Sequence, residues 1–391
     1  MDLFPYTPRP HQMELVNAIS TCVRSRGHLV VESGTGTGKT ICALSGTLQA
    51  ALEQDKKVIY LTRTNSQQRQ VMLELRKINR SRPVLGVGLQ GRQSTCPLIQ
   101  RDPDLRSGNP EELSKLCAER KARSRAGKSG GCRFYEAVLS TNFADVEHYF
   151  REELPTVEEF ITYCDGSGLC PHELIKDLLP KASVVTAPYA FFFMPFIRHN
   201  LLDWMNIPIS DAVVIVDEAH NLLEYAREIR SVSLSSRLLD LAAKEANEQG
   251  DPEIAEGIST LDLVDACRRR LREALEEFLI EDDGLIPPIF LEEGLMSTFT
   301  ATTKGLLNMT RSLLAYGETI REEKRKSGRL PRSYMHSLGS FLQFWLDLDE
   351  ECYVKLVVGG ENPAFEAYCM DPGLACRALM ECHASVHMSG T

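Results

Sequence analysis

The sequence predicts an α/β fold, a doubly wound parallel sheet interrupted by two insertions, one small and cysteine-rich and one mainly helical. Three observations predict it. Short apolar or β-branched runs alternate with stretches of helical spacing, a glycine-rich turn follows the first run, and two long segments break the rhythm. The candidate strands are residues 28–32, 58–62, 84–87, 182–186 and 212–217. Each is compact and apolar, as strands are where helices cover both faces of a sheet. Residues 40–52 and 67–78 between them have helical spacing, so the units read β-α-β.

The rhythm stops over residues 91–175, which are rich in Gly, Arg, Lys and Cys, and again over 231–375. In the second insertion Leu261, Val264, Leu271, Leu275 and Phe278 fall on one helical face, and 303–326 and 333–349 read as further helices. Gly359-Gly360 signals a turn, after which the chain returns through Asp371-Pro372 to a last strand-like run at 384–388. The predicted organisation is a core formed by 1–90, 176–230 and 376–391, with insertions at 91–175 and 231–375.

Composition bounds the function. A chain of 391 residues with 43% apolar and 25% charged residues is an ordinary globular protein of more than one domain. It opens with Met-Asp-Leu-Phe-Pro-Tyr, not a basic, apolar leader, and the apolar run 190–197 is far shorter than the ~18 residues that cross a bilayer. A cytoplasmic or nuclear monomer is expected. In such a reducing compartment, twelve cysteines point to metal binding or redox chemistry, and five of them crowd between Cys96 and Cys170. The net charge of −10 is uneven: residues 231–375 hold 15 Lys/Arg against 26 Asp/Glu, whereas 117–133 hold six against one. A local basic run of that kind suits phosphate contacts, which act over roughly 8–10 Å.

The run 28–32 leads into Ser33-Gly34-Thr35-Gly36-Thr37-Gly38-Lys39-Thr40 and then a helical stretch. Strand, loop and helix in that order make a phosphate-binding loop. The glycines let backbone N–H groups turn toward phosphate at a helix start, Lys39 holds the β/γ-phosphates, and Thr40 offers its hydroxyl to Mg²⁺. The strict pattern has Gly where Ser33 stands. A second strand, 212–216, ends in Asp217-Glu218-Ala219-His220. Acids at the carboxyl end of a parallel strand lie where α/β sheets bind ligands. Asp217 is placed to hold Mg²⁺, Glu218 to orient and deprotonate the attacking water, and His220 to report nucleotide state. ATP and Mg²⁺ are the cofactors implied.

With both motifs in place the sequence resembles the DEAH class of superfamily 2 helicases, which also relax the Ser33 position. Residues 6–12, with Arg9, Pro10 and Gln12, resemble the segment that recognises adenine. Arg63 and Thr64, within Thr62-Arg63-Thr64-Asn65-Ser66-Gln67, resemble the strand-end motif that grips the DNA backbone. Ser389-Gly390-Thr391 resembles the start of the motif that couples ATP state to strand separation.

Four cysteines lie between the phosphate loop and the acids, as Cys96-Pro97, Cys117, Cys132-Arg133-Phe134-Tyr135 and Cys170-Pro171. Their gaps of 20, 14 and 37 residues suit Zn²⁺ or a [4Fe–4S] cluster, and spacing does not choose between them. The XPD family of helicases inserts four such cysteines here, and Arg92, Cys-Arg-Phe-Tyr-Glu and the final Cys-Pro resemble its pattern. That resemblance implies a RecA-like core carrying a [4Fe–4S] cluster on Cys96, Cys117, Cys132 and Cys170, with Cys164 as the competing fourth ligand. Cys369, Cys376, Cys382 and His383 have loose gaps and read as structural.

The resemblance further implies DNA contacts by Arg92, Arg120, Lys121, Arg123, Arg125, Lys128 and Tyr189, with single-stranded DNA and ss/ds junctions as substrates. The acidic insertion occupies the place of the family's arch domain, a possible binding face for repair-complex proteins. Family members are ATP-driven 5′→3′ helicases of nucleotide excision repair. The second RecA-like domain of such motors is expected to be absent from these 391 residues, so the chain is expected to bind DNA without unwinding it. Two other readings compete: an iron–sulfur DNA scaffold or damage sensor with incidental ATPase, and a zinc-stabilised nucleotide switch without DNA.

Overall fold

The structure, a computed structural model, describes residues 3–34 and 36–390; Thr35 and Thr391 of the motifs above lie outside the described residues. Its strands are β1 (His28–Glu32), β2 (Lys57–Thr62), β3 (Gly86–Gly88), β4 (Val184–Pro188), β5 (Ala212–Val216), β6 (Val232–Ser235), β7 (Glu253–Ala255), β8 (Ile258–Ser259), β9 (Asp283–Leu285), β10 (Tyr353–Val358), β11 (Ala364–Cys369) and β12 (Ala384–Ser389). They fall into two units. One comprises the chain up to Pro110, Arg120–Ala226 and Gly373 onward; the other comprises Glu111–Glu119 and Arg227–Pro372.

The first unit is built on a six-stranded sheet in the order β1-β12-β5-β2-β4-β3, with every pairing parallel. Strands β5 and β2 are buried along nearly their whole length, which their Val- and Ile-rich composition requires of a sheet covered on both faces. The last strand of the chain, β12, enters between β1 and β5, with Val386 opposite Leu29 and Ile215. It thereby joins the two strands whose ends carry the phosphate loop and the acidic pair.

One core cluster joins the sheet to its helices through Ile19 and Val23, Leu44 and Leu48, and Val71 and Met72, against Tyr60, Ile215 and Val386. The helices Gln12–Arg24 and Lys39–Glu53 meet at Gly46, where a Cβ would sit 2.7 Å from the Val16 carbonyl oxygen. Only glycine permits that approach. In this unit the cysteine-rich segment is made of short helices, among them Arg92–Thr95, Pro97–Arg101, Arg133–Leu139, Val157–Ser167 and Pro171–Leu178.

The second unit packs helices Ser236–Glu248, Thr260–Phe278, Phe290–Phe299, Thr303–Lys326 and Tyr334–Leu346 with an antiparallel sheet, β6-β11-β10-β9. The expectation of a mainly helical insertion missed that sheet. Gly359-Gly360 is the turn of the β10–β11 hairpin, with Gly360 at φ 89°, and not the start of the return to the core. The apolar face of Thr260–Phe278 is also shifted. Leu263, Val264, Ala266, Cys267, Leu271 and Ala274 are buried there, while Leu261, Leu275 and Phe278 are half-buried.

Residues 111–119, which the sequence assigns to the cysteine-rich insertion, pack with this second unit. Arg332 grips Glu112 with two nitrogens (Nη2–Oε2 2.8 Å, Nε–Oε1 3.0 Å), and Arg321 Nη2 reaches Glu111 Oε1 at 2.7 Å. A planar guanidinium meeting a carboxylate twice fixes orientation as well as distance.

Candidate nucleotide site and nucleic-acid contacts

The phosphate loop leaves β1 and closes on itself. Gly36 and Gly38 take φ of 76° and 85°, the left-handed conformation that exposes backbone N–H groups at the start of helix Lys39–Glu53. Thr37 Oγ1 donates to the Gly34 carbonyl (2.9 Å), and the Lys39 ammonium donates to the carbonyls of Ser33 (2.6 Å) and Gly34 (3.2 Å). Lys39 thus occupies the loop with its own charge and must exchange those carbonyls for phosphate oxygens.

Gln12 braces the loop from the side. Its Nε2 donates to Thr37 O (2.7 Å), its Oε1 accepts from Arg9 N (2.8 Å), and Arg9 Nη1 donates to Gly36 O (3.1 Å). A cavity of 730 Å³ opens above, lined by Tyr6, Thr7, Arg9, Gln12, Gly36–Ile41, Gln67, Gln70, Glu74, Asp217 and Glu218. That volume lies within the roughly 300–1,000 Å³ of small-molecule sites.

Tyr6 opens the 6–12 segment read as the adenine side, but its partners in this wall, Gln70 and Glu74, were not legible as a site in the sequence. Tyr6 donates its hydroxyl to Glu74 Oε2 (2.6 Å), and Gln70 Nε2 donates to Glu74 Oε1 (3.0 Å). Gln70 and Glu74 carry no motif, and only the packing of helix Asn65–Ser81 beside the loop brings them to Tyr6.

Asp217 and Glu218 follow β5 directly. Asp217 is buried, and burial, then the neighbouring Glu218 charge, push its carboxyl up to about 6. Glu218 is held at φ 50°, ψ 48°, a conformation few non-glycine residues adopt, and its carboxylate lines the cavity. His220 faces two oxygens through Nδ1, Ser389 Oγ at 3.0 Å and Glu218 Oε2 at 3.4 Å. Asn221 Nδ2 lies 2.9 Å from His220 Nε2 and donates to Glu218 O at 3.1 Å, while Arg63 donates to Asn221 Oδ1. The ends of β2, β5 and β12 are therefore tied together by polar side chains.

Three of the four candidate ligand cysteines occupy equivalent places. Cys96, Cys132 and Cys170 each immediately precede a short helix, with φ/ψ of −86°/118°, −114°/106° and −89°/105°, and none has a side-chain capping bond. Cys132 and Cys170 pack together with Phe134 and Tyr135, against Leu98 and Val138. Cys117 lies within helix Pro110–Arg125. As placed, no group of three or more His, Cys, Asp or Glu among the described residues could hold a metal ion.

The competing Cys164 is fully buried in helix Val157–Ser167, where burial pushes its thiol up to about 12. The cysteines near the end of the chain turn toward backbone. Cys382 Sγ faces Leu379 O (2.9 Å), Cys369 Sγ faces Asp371 O (3.3 Å), and His383 Nε2 lies against Gln54 Oε1 (2.9 Å) and Val23 O (3.1 Å).

Family models match the chain in three stretches: DEAD_2 over residues 60–239, the helical and beta-bridge domain over 242–391, and the type III restriction enzyme res subunit over 5–93. Among curated proteins, the general transcription and DNA repair factor IIH helicase subunit XPD/RAD3 of Saccharomyces cerevisiae is 24% identical over 294 residues, covering 71% of this chain and 36% of that protein. Regulator of telomere elongation helicase 1 of Rattus norvegicus is 27% identical over 276 residues, covering 60% and 20%. Together the DEAD_2 and helical and beta-bridge matches and these relatives support an XPD-type superfamily 2 helicase. Solved structures agree on the fold: one titled XPD_Helicase superposes with a TM-score of 0.60 at 19% identity, covering 98% of this chain and 58% of that one. A second, titled Truncated XPD, gives 0.57 at 18%, covering 97% and 93%. The chain spans about a third of the yeast relative's length and a fifth of the rat one's.

In this XPD-type chain the candidate DNA residues divide by environment. Arg63 is exposed at the end of β2, and Lys128 is exposed beyond helix Pro110–Arg125. Thr64 caps helix Asn65–Ser81, its hydroxyl accepting from Gln67 N (3.3 Å) while Gln67 Oε1 accepts from Thr64 N (3.0 Å). Lys121 is paired with the buried Glu173 at 2.7 Å, and Arg125 Nε donates to the Tyr135 hydroxyl at 2.8 Å. Arg92 is half-buried, and its charge helps depress the fully buried His172, an effect second to burial itself. Arg120 and Arg123 are half-buried with partners of their own.

Two of these assignments are corrected. Tyr189 is 2% exposed; its hydroxyl donates to the carbonyls of Asp217 and Glu218 (3.2 Å to the latter), so it props up the acidic pair and offers no surface to a strand. Lys121 is internally neutralised and belongs to the scaffold of the cysteine-rich segment.

Proposed function

We propose that this chain is the ATP-binding portion of a DNA helicase of nucleotide excision repair that moves 5′→3′ on single-stranded DNA. The observation that carries the reading is the single cavity in which Lys39, Thr40, Asp217 and Glu218 converge. Lys39 would neutralise phosphate charge, Thr40 and Asp217 would hold Mg²⁺, and Glu218 would take the proton of the attacking water. Mg²⁺, when bound, draws charge from the β- and γ-phosphate oxygens. Gln12 and Arg9 would report loop occupancy to the adenine side. Arg63, with Lys128 and the arginines at 92, 120, 123 and 125, supplies the positive charge for a DNA backbone.

Cys96, Cys117, Cys132 and Cys170 would hold a [4Fe–4S] cluster. The common backbone placement of three of them, each directly before a short helix, supports this. The cluster, when bound, would tie these helix starts to one another. Residues 91–175 and 231–375 would then serve as cluster and arch segments, the latter a face for repair-complex proteins. Taken alone, a polypeptide spanning 36% of its yeast relative would bind nucleotide and DNA without separating strands.

The test is nucleotide binding with Mg²⁺ by the wild type and Lys39→Ala, followed by DNA-stimulated hydrolysis in a version extended to the length of the relatives. Losing hydrogen bonds to charged phosphate costs about 1.5–3 kcal/mol, so Lys39→Ala should weaken binding about 10- to 150-fold and abolish hydrolysis. Equal binding by the two proteins would remove the cavity from the mechanism. Strand separation by the 391-residue chain itself would overturn the assignment of its role.

A further inference from the structure

We propose that Asn221 is a positioning residue that couples DNA at Arg63 to the nucleotide pocket by fixing the tautomer of His220. The proposal rests on the reading of Arg63 as a DNA-backbone contact. A guanidinium can only donate, so the Asn221 atom that faces Arg63 is its carbonyl oxygen. The amide NH₂ must then face the other way, toward Glu218 O at 3.1 Å and His220 Nε2 at 2.9 Å. A ring nitrogen opposite an N–H donor carries the lone pair, which leaves the proton of neutral His220 on Nδ1. From there it points to Ser389 Oγ at 3.0 Å.

The chain of consequence is directional. One donor-only side chain orders the amide, the amide orders the imidazole, and the imidazole orders the hydroxyl at the end of β12. Ser389 also accepts, through its carbonyl, from Ser33 N (3.1 Å), the first residue of the phosphate loop. A phosphate of DNA that engages Arg63 removes the group that holds Asn221 in this orientation. His220 is then free to change partners beside Glu218. Coupling of this kind is reciprocal: nucleotide in the pocket must alter DNA affinity by the same factor by which DNA alters nucleotide affinity.

Three measurements on the 391-residue chain test it. Nitrogen-15 shifts of His220, at a pH where the ring is neutral and without DNA, should show Nε2 unprotonated in the wild type and a mixture of tautomers in Asn221→Leu. A single-stranded oligonucleotide should shift the Kd of a fluorescent ATP analogue with Mg²⁺ by about fivefold or more in the wild type, within the usual range of site–site coupling. In Asn221→Leu that shift should fall below about twofold, with both ligands still binding.

Asn221→Asp keeps an acceptor for Arg63 and adds charge, so its affinity for the oligonucleotide should fall severalfold. A protonated Nε2 in the wild type, undiminished coupling in Asn221→Leu, or unchanged DNA affinity in Asn221→Asp would each overturn the proposal. Absence of any DNA binding by the wild type would instead remove the reading of Arg63 on which it stands, while the nitrogen shifts would still report on the tautomer.

Discussion

Glu218 sits in the left-handed region between a buried strand and a helical turn, where a side chain costs about 1–2 kcal/mol that glycine escapes. Its contact with His220 Nδ1 at 3.4 Å is partly solvent-exposed and worth little in return. Glu218→Gly should therefore stabilise the fold, by a net of about 0.5–1 kcal/mol after the larger unfolded-state entropy of glycine, while eliminating hydrolysis in the longer protein. Denaturant titration and turnover assays check the two halves separately. Asp217 makes a pH-dependent prediction. Its folded pKa is raised to about 6, so the proton is bound more tightly in the native protein, and the carboxylate needed for Mg²⁺ is lost as pH falls below about 6. Mg²⁺-dependent nucleotide affinity should fall steeply below that pH. Asp217→Asn should lack this component, and comparing the two removes the nucleotide's own titration. The residues of this pocket were legible because their chemistry requires contiguous spacing. Tyr189 and Lys121 were misjudged because an aromatic ring or an ammonium in a sequence does not disclose the carbonyl or carboxylate it will meet. Asn221 lay in plain view beside His220 but gave no signal until Arg63 was seen on its far side.

Gly46 shows how an element positions the site. A methyl group there would meet the Val16 carbonyl at 2.7 Å and Ile19 Cβ at 3.0 Å, forcing apart the two helices that carry Gln12 and Lys39. Gly46→Ala should cost about 1–3 kcal/mol of stability, read as a lower denaturant midpoint, and should weaken nucleotide binding by moving the Gln12–Thr37 contact. The parallel strands were legible element by element: β1 spans the predicted residues 28–32, and β5 and β12 differ from prediction by one residue at one end. Continuous burial of β5, and of β2 beside it, leaves an unbroken apolar run that a reader can find, whereas β1, at the edge of the sheet with only Val31 buried, is marked by the phosphate loop that follows it. The antiparallel sheet of the second unit was missed for a physical reason. The buried face of β10 is Tyr353, Lys355 and Val357, and a lysine breaks the apolar alternation. Lys355 is tolerable there only because its ammonium donates to Pro288 O at 2.6 Å and Glu292 Oε1 at 2.5 Å, contacts that depend on a helix about 60 residues earlier.

At the scale of the molecule, the nucleotide cavity lies within a unit assembled from three separate stretches of chain, and β12 completes its sheet only after the second unit has been traversed. No helix among the described residues is long and apolar enough to cross a membrane. The acidity of residues 231–375 resides in the unit that includes β9, where Asp282 and Asp283 are exposed. We propose that this phosphate-loop scaffold carries an iron–sulfur cluster on Cys96, Cys117, Cys132 and Cys170. The most direct test is iron and sulfide analysis, with a visible absorption spectrum, of the 391-residue protein purified without oxygen. A brown protein with about four iron and four sulfide per chain is expected, its colour lost in Cys132→Ser and Cys170→Ser. A colourless, folded protein that binds nucleotide and contains zinc or no metal would contradict it.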